Sequence, residues 1–416
     1  MSEDITGLGL FEGFGVEMEY MIVDSESLAV RPIADELLRD LSGEHVSDVE
    51  LGPIALSNEL VLHVVELKTN GPVGSLADLA SPFNAAVRTV NETLAPHHAR
   101  LMPSAMHPTM DPHKEMRIWP HDSGPIYACF DRIFDCHGHG WANLQSTHLN
   151  LPFSGDDQFG RLHAAIRVLL PLLPALAASS PLCDSRLTGL ADTRLAVYRS
   201  NAANVPSVSG LVIPERVFTR ADYEQHLLGR IYRDLSPLDP EGILQHEWVN
   251  ARGAIARFDR DTIEIRVLDI QECPAADVAI LEAVVSVLRA LVEGRMGDLQ
   301  LLRGWDERAL LPILEQTIQL GEGAQIHQQD YLRDLGLSPP IDPTAGKVWE
   351  LLLSRASHRP GSEQTGHALQ NILRHGTLAT RIRRAVGPDP TPSRILGVYR
   401  TLADCLRTGT AFTIEG

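Results

Sequence analysis

Five glutamates, a histidine, an asparagine and several arginines stand in this chain at spacings suited to holding cations and an anionic substrate. Glu17 and Glu19 flank Met18 in GVEMEY, and residues two apart in a strand share a face, roughly 6–7 Å apart. Two carboxylates at that separation repel by about 2.5 kcal/mol at an effective dielectric of about 20. Bound cations or arginines relieve such repulsion, and so does a water-facing strand edge. Glu59 and Glu66 sit seven residues apart in the apolar run ELVLHVVE, where Glu66 is costly to bury without a partner. An odd separation puts them on opposite faces of a regular strand, so for both to reach one site the backbone must bend between them. His148 and Asn150 share a face of STHLNLPF; imidazole and amide beside carboxylates suit contact with a metal or a nucleotide phosphate.

In TIEIRVLD, Glu264 and Arg266 share a face and Asp269 is expected on the other. An in-strand ion pair is the structural alternative to Glu264 on a cation and Arg266 on a phosphate or carboxylate. Arg252 and Arg257 add positive charge to the same segment. The run from Asp192 to Ser200 contributes Arg194, Tyr198 and Arg199, as an anionic small substrate would require. Cys136, His137 and His139, with Cys129 upstream, offer zinc-ligating types at a spacing that matches no usual zinc pattern, and a structural role is favoured.

These residues need strands to align them. Strand signals cover 14–23, 59–68 and 146–153, and a hairpin is expected from 253–258 and 262–269 around Asp259-Arg260-Asp261. Ser75 is placed as the cap of a helix towards His98, broken near Pro82; 162–178 and 275–296 read as further helices, the first bent by its prolines. After about residue 300 strand signals vanish. Helical segments follow at 306–320, 345–357, 363–375, 377–386 and 393–407, separated by turns such as Ser338-Pro339-Pro340 and Gly387-Pro388-Asp389-Pro390. The expected organisation is an α+β catalytic domain over 1–298 and a helical C-terminal region over 299–416.

Thirty-six basic residues stand against 54 acidic ones, a formal net charge of −18, and no basic run is long enough to make a patch for nucleic acid or anionic lipid. Five scattered cysteines suggest a reducing compartment. The acidic start Met1-Ser2-Glu3-Asp4 lacks the basic opening of a signal peptide, and the apolar run 169–176 is short and interrupted by Pro171 and Pro174. A cytoplasmic protein is expected, with amino-acid and amine substrates; homo-oligomerisation is left open.

Taken in order, GVEMEY, ELVLHVVE, THLNLPF, the helix ending ALAASSP, DTRLAVYRS and TIEIRVLDIQECP resemble the glutamate–cysteine ligase superfamily, in its bacterial carboxylate–amine ligase branch, over roughly residues 13–290. The resemblance implies a glutamine-synthetase-like fold, a curved antiparallel sheet forming a funnel with helices outside. It implies an ATP-dependent, amide-forming ligase working through an acyl-phosphate, with Mg²⁺ held by Glu17, Glu19, Glu59, Glu66 and Glu264. His148, Asn150 and Arg257 would then lie by metal or nucleotide, Arg266 would act with Glu264 at the transferring phosphate, and Arg194, Tyr198 and Arg199 would take substrate. Hard oxygen ligands suit Mg²⁺ better than zinc. One departure is Asn150, where many members of the branch have a second histidine. A metal-dependent amide hydrolase and a non-catalytic binding protein on the same fold are the competing readings.

Overall fold

The alternation in 14–23, 146–153 and 262–269 does what period two requires: it gives each strand a core face and a polar face, and the strands lie side by side in one sheet. The computed structural model describes residues 7–338 and 343–414, so the expected turn at Pro339-Pro340 lies outside the described residues. The strands are β1 (Gly15–Asp24), β2 (Asp48–Leu51), β3 (Ile54–Asn58), β4 (Val64–Thr69), β5 (Ala99–Met102), β6 (Ser146–Pro152), the small hairpin β7 (Leu182–Cys183) and β8 (Arg186–Leu187), β9 (Ala254–Arg257) and β10 (Thr262–Asp269). The main sheet runs β2-β3-β4-β1-β6-β10-β9, with β5 on the far end of β1, and each of its pairings is antiparallel. Val16, Met18, Tyr20, Val65, Leu67, Leu149, Leu151, Ile263 and Ile265 turn into the hydrophobic core beneath.

The helix Pro274–Val292 is buried around almost its whole circumference and anchors the core side of the sheet, where its Asp277 accepts from Thr147 Oγ1 at 2.6 Å. Three expected boundaries move. The strand read over 59–68 starts only at Val64, because residues 60–63 form a bridge and a turn. The helix placed from Ser75 starts at Ala80, which puts Pro82 in its first turn, where a missing N–H breaks no helical bond; Ser75 Oγ instead closes a local turn by accepting from Ala77 N. The helix read over 162–178 begins at Gly155 and runs to Leu169, then passes through a 3₁₀ turn (Leu170–Leu172) to a short helix (Pro174–Ala177).

That broken segment explains what the C-terminal helices contribute. Carbonyls left free around Pro171 and Pro174 accept from side chains of the later helices: Val168 O from Tyr331 Oη at 2.6 Å, Pro171 O from Thr317 Oγ1 at 2.6 Å and Leu172 O from Trp349 Nε1 at 2.8 Å. A buried pair, Arg381 Nη1 to Glu272 Oε1 at 2.5 Å, ties the helix Leu378–Val386 to the segment after β10. Leu310, Ile313, Trp349 and Ile372 belong to the same apolar cluster as the sheet.

His163 is buried among Phe159, stacked at 5.2 Å, Phe218 and Tyr223. Burial, reinforced by the charge of Arg167, pushes its imidazole down to about 3. A histidine depressed in the folded state keeps its full contribution above its unfolded value, ~6.5, and loses it as pH falls towards the folded value. Between pH 7 and pH 5 this one group therefore withdraws about 2 kcal/mol. Urea melts at the two pH values are expected to show a change in stability on acidification that is more favourable by about that amount in His163→Phe than in the wild type. Equal changes would show that His163 is not the group titrating.

Candidate active site

Sheet register decides which side chains meet. Glu17 lies opposite His148 on β6 and Lys68 on β4; Glu19 lies opposite Glu66, Glu66 opposite Ser57, and Glu264 opposite Asn150. Since directly paired residues point the same way, these side chains share the face away from the core. With Glu59, Tyr127, Tyr198 and Arg266, most of them line a cleft of about 490 Å³. The turn at residues 60–63 supplies the bend that brings Glu59 and Glu66 to one site.

β10 carries one irregularity. Ile265 pairs with Leu149 and Leu268 with Thr147, so Arg266 and Val267 together oppose His148 as a bulge. The extra residue reverses the alternation beyond it. Asp269, expected opposite to Glu264, therefore comes to the cleft face, paired with Ser146. The bulge is accommodated by Gly253, whose carbonyl accepts from Arg266 N at 3.0 Å and where any Cβ would meet Val267 at 2.5 Å.

Within the cleft, His148 Nδ1 sits 2.9 Å from Glu17 Oε2 and its Nε2 sits 2.9 Å from Ser146 Oγ. Ser146 donates from N and Oγ to Glu19 Oε2 at 2.6 and 2.8 Å, and Asn150 Nδ2 donates to Glu17 Oε1 at 3.0 Å. Arg266 Nε donates to Glu264 Oε1 at 2.9 Å, while Arg257 approaches the other oxygen of Glu264 at 3.6 Å and is also paired with Asp259. Lys68 lies 3.6 Å from Glu66 but closer, 2.8 Å, to Asp48 outside the cluster. Arg194 donates from Nε to Asp269 at 2.5 Å and leaves Nη2 buried without a partner.

The charges are unevenly compensated. Burial tends to raise Glu17, but its hydrogen bond to His148 and the positive charges of His148 and Arg266 bring it down to about 2. Burial followed by the charge of Glu19 pushes Glu59 up to about 7, and burial with the charges of Glu17 and Glu59 holds Glu66 well above the usual carboxylate range. For His148, burial works against the charged form, yet the hydrogen bond to Glu17 and three surrounding carboxylates raise it above its ordinary value. An imidazolium there donates from both nitrogens, to Glu17 and to Ser146 Oγ. One atom each from Glu19, Glu66 and His148 lies within 4.8 Å of the others, and the same holds for Glu17, His148 and Glu264. Oxygen-rich, with Glu59 and Glu66 still repelled by their neighbours, this cluster fits hard divalent cations.

Not every residue singled out from the sequence arrives here. Arg194 and Tyr198, four apart on the helix Thr193–Tyr198, share its cleft-facing side. Arg199 is turned about 100° further round; it does not line the cleft and pairs with Glu315 at 2.7 Å on the surface. Asn150 faces a second cleft of about 730 Å³, which shares Glu17, Lys68 and Arg260 with the first and includes Gly13, Phe14, Gly71 and Phe153. Cys136 is buried and, among the described residues, joins neither histidine in a candidate metal group: His137 sits with Asp131 and Asp135, and His139 with Asp184 and Cys183. His139 Nδ1 lies 3.0 Å from Asn143 Nδ2 and its Nε2 3.1 Å from Asp184, so the residues of Cys136-His137-Gly138-His139 do not converge on one point. Unforeseen lining residues are Lys68, which its spacing of two from Glu66 signalled, Ser146, two before His148, and an aromatic group in which helical spacing links Tyr127 to Phe130 but nothing in the sequence links that pair to Trp141 and Trp248.

The family model for glutamate-cysteine ligase family 2 matches residues 13–389, which span all of these positions. The chain belongs to glutamate–cysteine ligase family 2. An uncharacterized protein of Archaeoglobus fulgidus is 38% identical over 279 residues, covering 67% of this chain and 74% of its own. The glutamate–cysteine ligase of Haloquadratum walsbyi is 27% identical over 276 residues, covering 64% of this chain and 67% of its own. Among solved structures, the glutamate–cysteine ligase of Francisella tularensis, crystallised in complex with AMP, superposes with a TM-score of 0.57 at 14% identity, over 98% of this chain and 90% of that one. The bifunctional glutathione synthetase of Pasteurella multocida gives 0.58 at 13% identity over 96% of this chain, which spans about half of that longer protein (53%). The α+β architecture built on an antiparallel sheet is thus that of this ligase fold. No helix among the described residues is long and apolar enough to cross a membrane.

Proposed function

We propose that this family member is an ATP-dependent carboxylate–amine ligase, close in reaction to glutamate–cysteine ligase, which forms an amide through an acyl-phosphate. The observation that carries the reading is the convergence of Glu17, Glu19, Glu59, Glu66 and Glu264 on one cleft, where the cations present leave the mutual repulsion at Glu59 and Glu66 uncompensated, facing Arg266 and Arg194. Glu19, Glu66, Glu17 and Glu264, with Glu59 beside them, would hold Mg²⁺. When bound, such ions neutralise phosphate charge as the phosphoryl group moves.

The protein's own groups do the rest. Arg194, fixed by Asp269, offers its free Nη2 to the carboxylate of the substrate. Arg266, held by Glu264, presents its guanidinium to the transferring phosphoryl group. The second cleft, sharing Glu17 and Lys68 with the first, would admit the nucleotide with its base against the apolar floor at Phe14 and Phe153. A carboxylate oxygen attacks the γ-phosphorus and ADP leaves; the amine nitrogen then attacks the acyl carbon, phosphate departs with that oxygen, and the ammonium proton is lost. No enzyme nucleophile is required.

The test is ADP release from Mg·ATP with amino acids and amines offered singly and in pairs. Release that needs both partners, a condensed product by mass, and transfer of ¹⁸O from labelled carboxylate into phosphate are the expected results. Amide hydrolysis without ATP, or condensation without ¹⁸O in phosphate, would overturn the ligase reading or its intermediate respectively.

A further inference from the structure

The outer wall of the cleft has an unusual composition for this chain. Aromatic residues make up only 5% of the sequence, with five tryptophans in all. Two of those five, Trp141 and Trp248, line this cleft together with Tyr127 and Phe130. Phe130 is the centre of the group, with its ring 5.4 Å from Trp141 and 5.8 Å from Trp248, tilted by 56° and 41°. Trp141 spends its indole N–H on Asn201 O at 2.9 Å, and Tyr127 Oη accepts from Asn58 at 3.3 Å, so two polar tips are already engaged and the ring surfaces remain. All four are partly exposed. Trp248 comes from the stretch that leads into β9. It is set by the turn Glu247–Val249, by His246 stacked on it at 5.4 Å, and by the neighbouring Asn250 bonded to Tyr223 Oη at 2.8 Å.

Charge is distributed across the cleft in a way that orients a ligand. Tyr127 Oη is bonded to Asn58, next to Glu59, which puts the glutamates on its side, whereas Arg194 shares a helix with Tyr198; Arg257, Arg260 and Arg266 line the cleft as well. A carboxylate is drawn to the arginines. An ammonium is drawn to the glutamates and the π faces, where any apolar group attached to it meets rings rather than water. We infer that the amine accepted by this site carries a bulky apolar body, an aryl or large hydrocarbon group, seated on Phe130, Trp141 and Trp248. A thiol the size of cysteine's would leave most of that surface wet. This inference rests on the ligase reading of the same cleft and specifies its second substrate.

The experiment compares 2-phenylethylamine with ethylamine, which has the same ammonium and no ring, and with L-cysteine, using the full chain with Mg·ATP and L-glutamate. The expected result is a kcat/KM for phenylethylamine at least tenfold above both, and a phenylethylamine-to-ethylamine ratio that falls towards one in Trp248→Ala. Phe130→Leu provides the same readout if the tryptophan variant does not fold. Pair-dependent ADP release with cysteine or ethylamine equal or superior overturns the inference and leaves the ligase intact. If no pair releases ADP, the ligase reading fails, and calorimetric titration with phenylethylamine decides the wall by itself. Saturable binding, weakened by Trp248→Ala, upholds it, and no binding overturns it.

Discussion

Glu66→Gln is expected to lower ATP-dependent turnover by about 10³-fold or more while leaving the metal-free protein at least as stable as the wild type. The two effects have one cause. Glu66 is buried beside Glu17 and Glu59, and Lys68, its nearest cation, is shared with Asp48. Burial and like charge raise its carboxyl well above the usual range, and Glu59 is pushed up to about 7. A group whose folded value is raised keeps its contribution below the unfolded value, ~4.3, and loses it as pH rises through the folded value. These two groups therefore withdraw stability from the metal-free wild type from about pH 4.5 upward as they ionise, and the glutamine variant should lose less over that range than the wild type. Mg²⁺ acts in the opposite direction. It stabilises whatever binds it by ~2.7 kcal/mol at a hundredfold excess over Kd, and that gain should shrink sharply in Glu66→Gln. Thermal melts at pH 8 with and without Mg²⁺, beside ADP release, separate the cases. Normal turnover in the variant, or a metal-free variant much less stable than wild type, would show that Glu66 is an ordinary structural partner.

The cleft's polar face was legible because it is written at period two. Glu17 with Glu19, His148 with Asn150, and Glu264 with Arg266 are neighbours by spacing alone, and antiparallel pairing brings the three strands together in register. The bend needed between Glu59 and Glu66 also followed from counting. What spacing could not carry is anything that depends on a local break in the period. The bulge at Arg266 and Val267 is set by packing against Gly253, at the start of the neighbouring strand, and it alone decides that Asp269 reaches the cleft face. Arg199 looked equal to Arg194 as a cation near a loop; helical rotation, not composition, takes it to Glu315. The aromatic wall joins Tyr127 and Phe130, three apart on one helix, to Trp141 and Trp248, and only the tertiary fold brings those two to the pair. The same holds for Tyr331, Thr317 and Trp349, which close carbonyls opened by prolines well over a hundred residues earlier.

Asp269→Asn is expected to cost about 3 kcal/mol of stability, at the lower end of what breaking a buried ion pair costs, and to raise KM for the carboxylate substrate. Asp269 is wholly buried. It accepts from Arg194 Nε at 2.5 Å and from Ser179 N and Ser180 Oγ at 2.8 and 2.9 Å. Asparagine keeps the shape and removes the charge, so the Arg194 guanidinium is left in a dry site. Rescue is close by. Asp192 is held well above the usual carboxylate range first by burial and then by the charge of Asp269, with Arg194 pulling the other way. Once Asp269 is neutral, that repulsion is gone, and Asp192 can ionise and take over part of the pairing. The single variant should then be milder than a fully orphaned arginine, whereas Asp192→Asn in the same background removes the substitute. Urea denaturation of the two single variants and the double is expected to give a double-mutant loss exceeding the sum of the singles by about 1 kcal/mol or more, as coupled neighbours do. Additive losses would mean that Asp192 only caps its helix through Leu195 N. A stability for Asp269→Asn within about 0.5 kcal/mol of wild type would mean that the bulge places Asp269 at the cleft without making Arg194 depend on it.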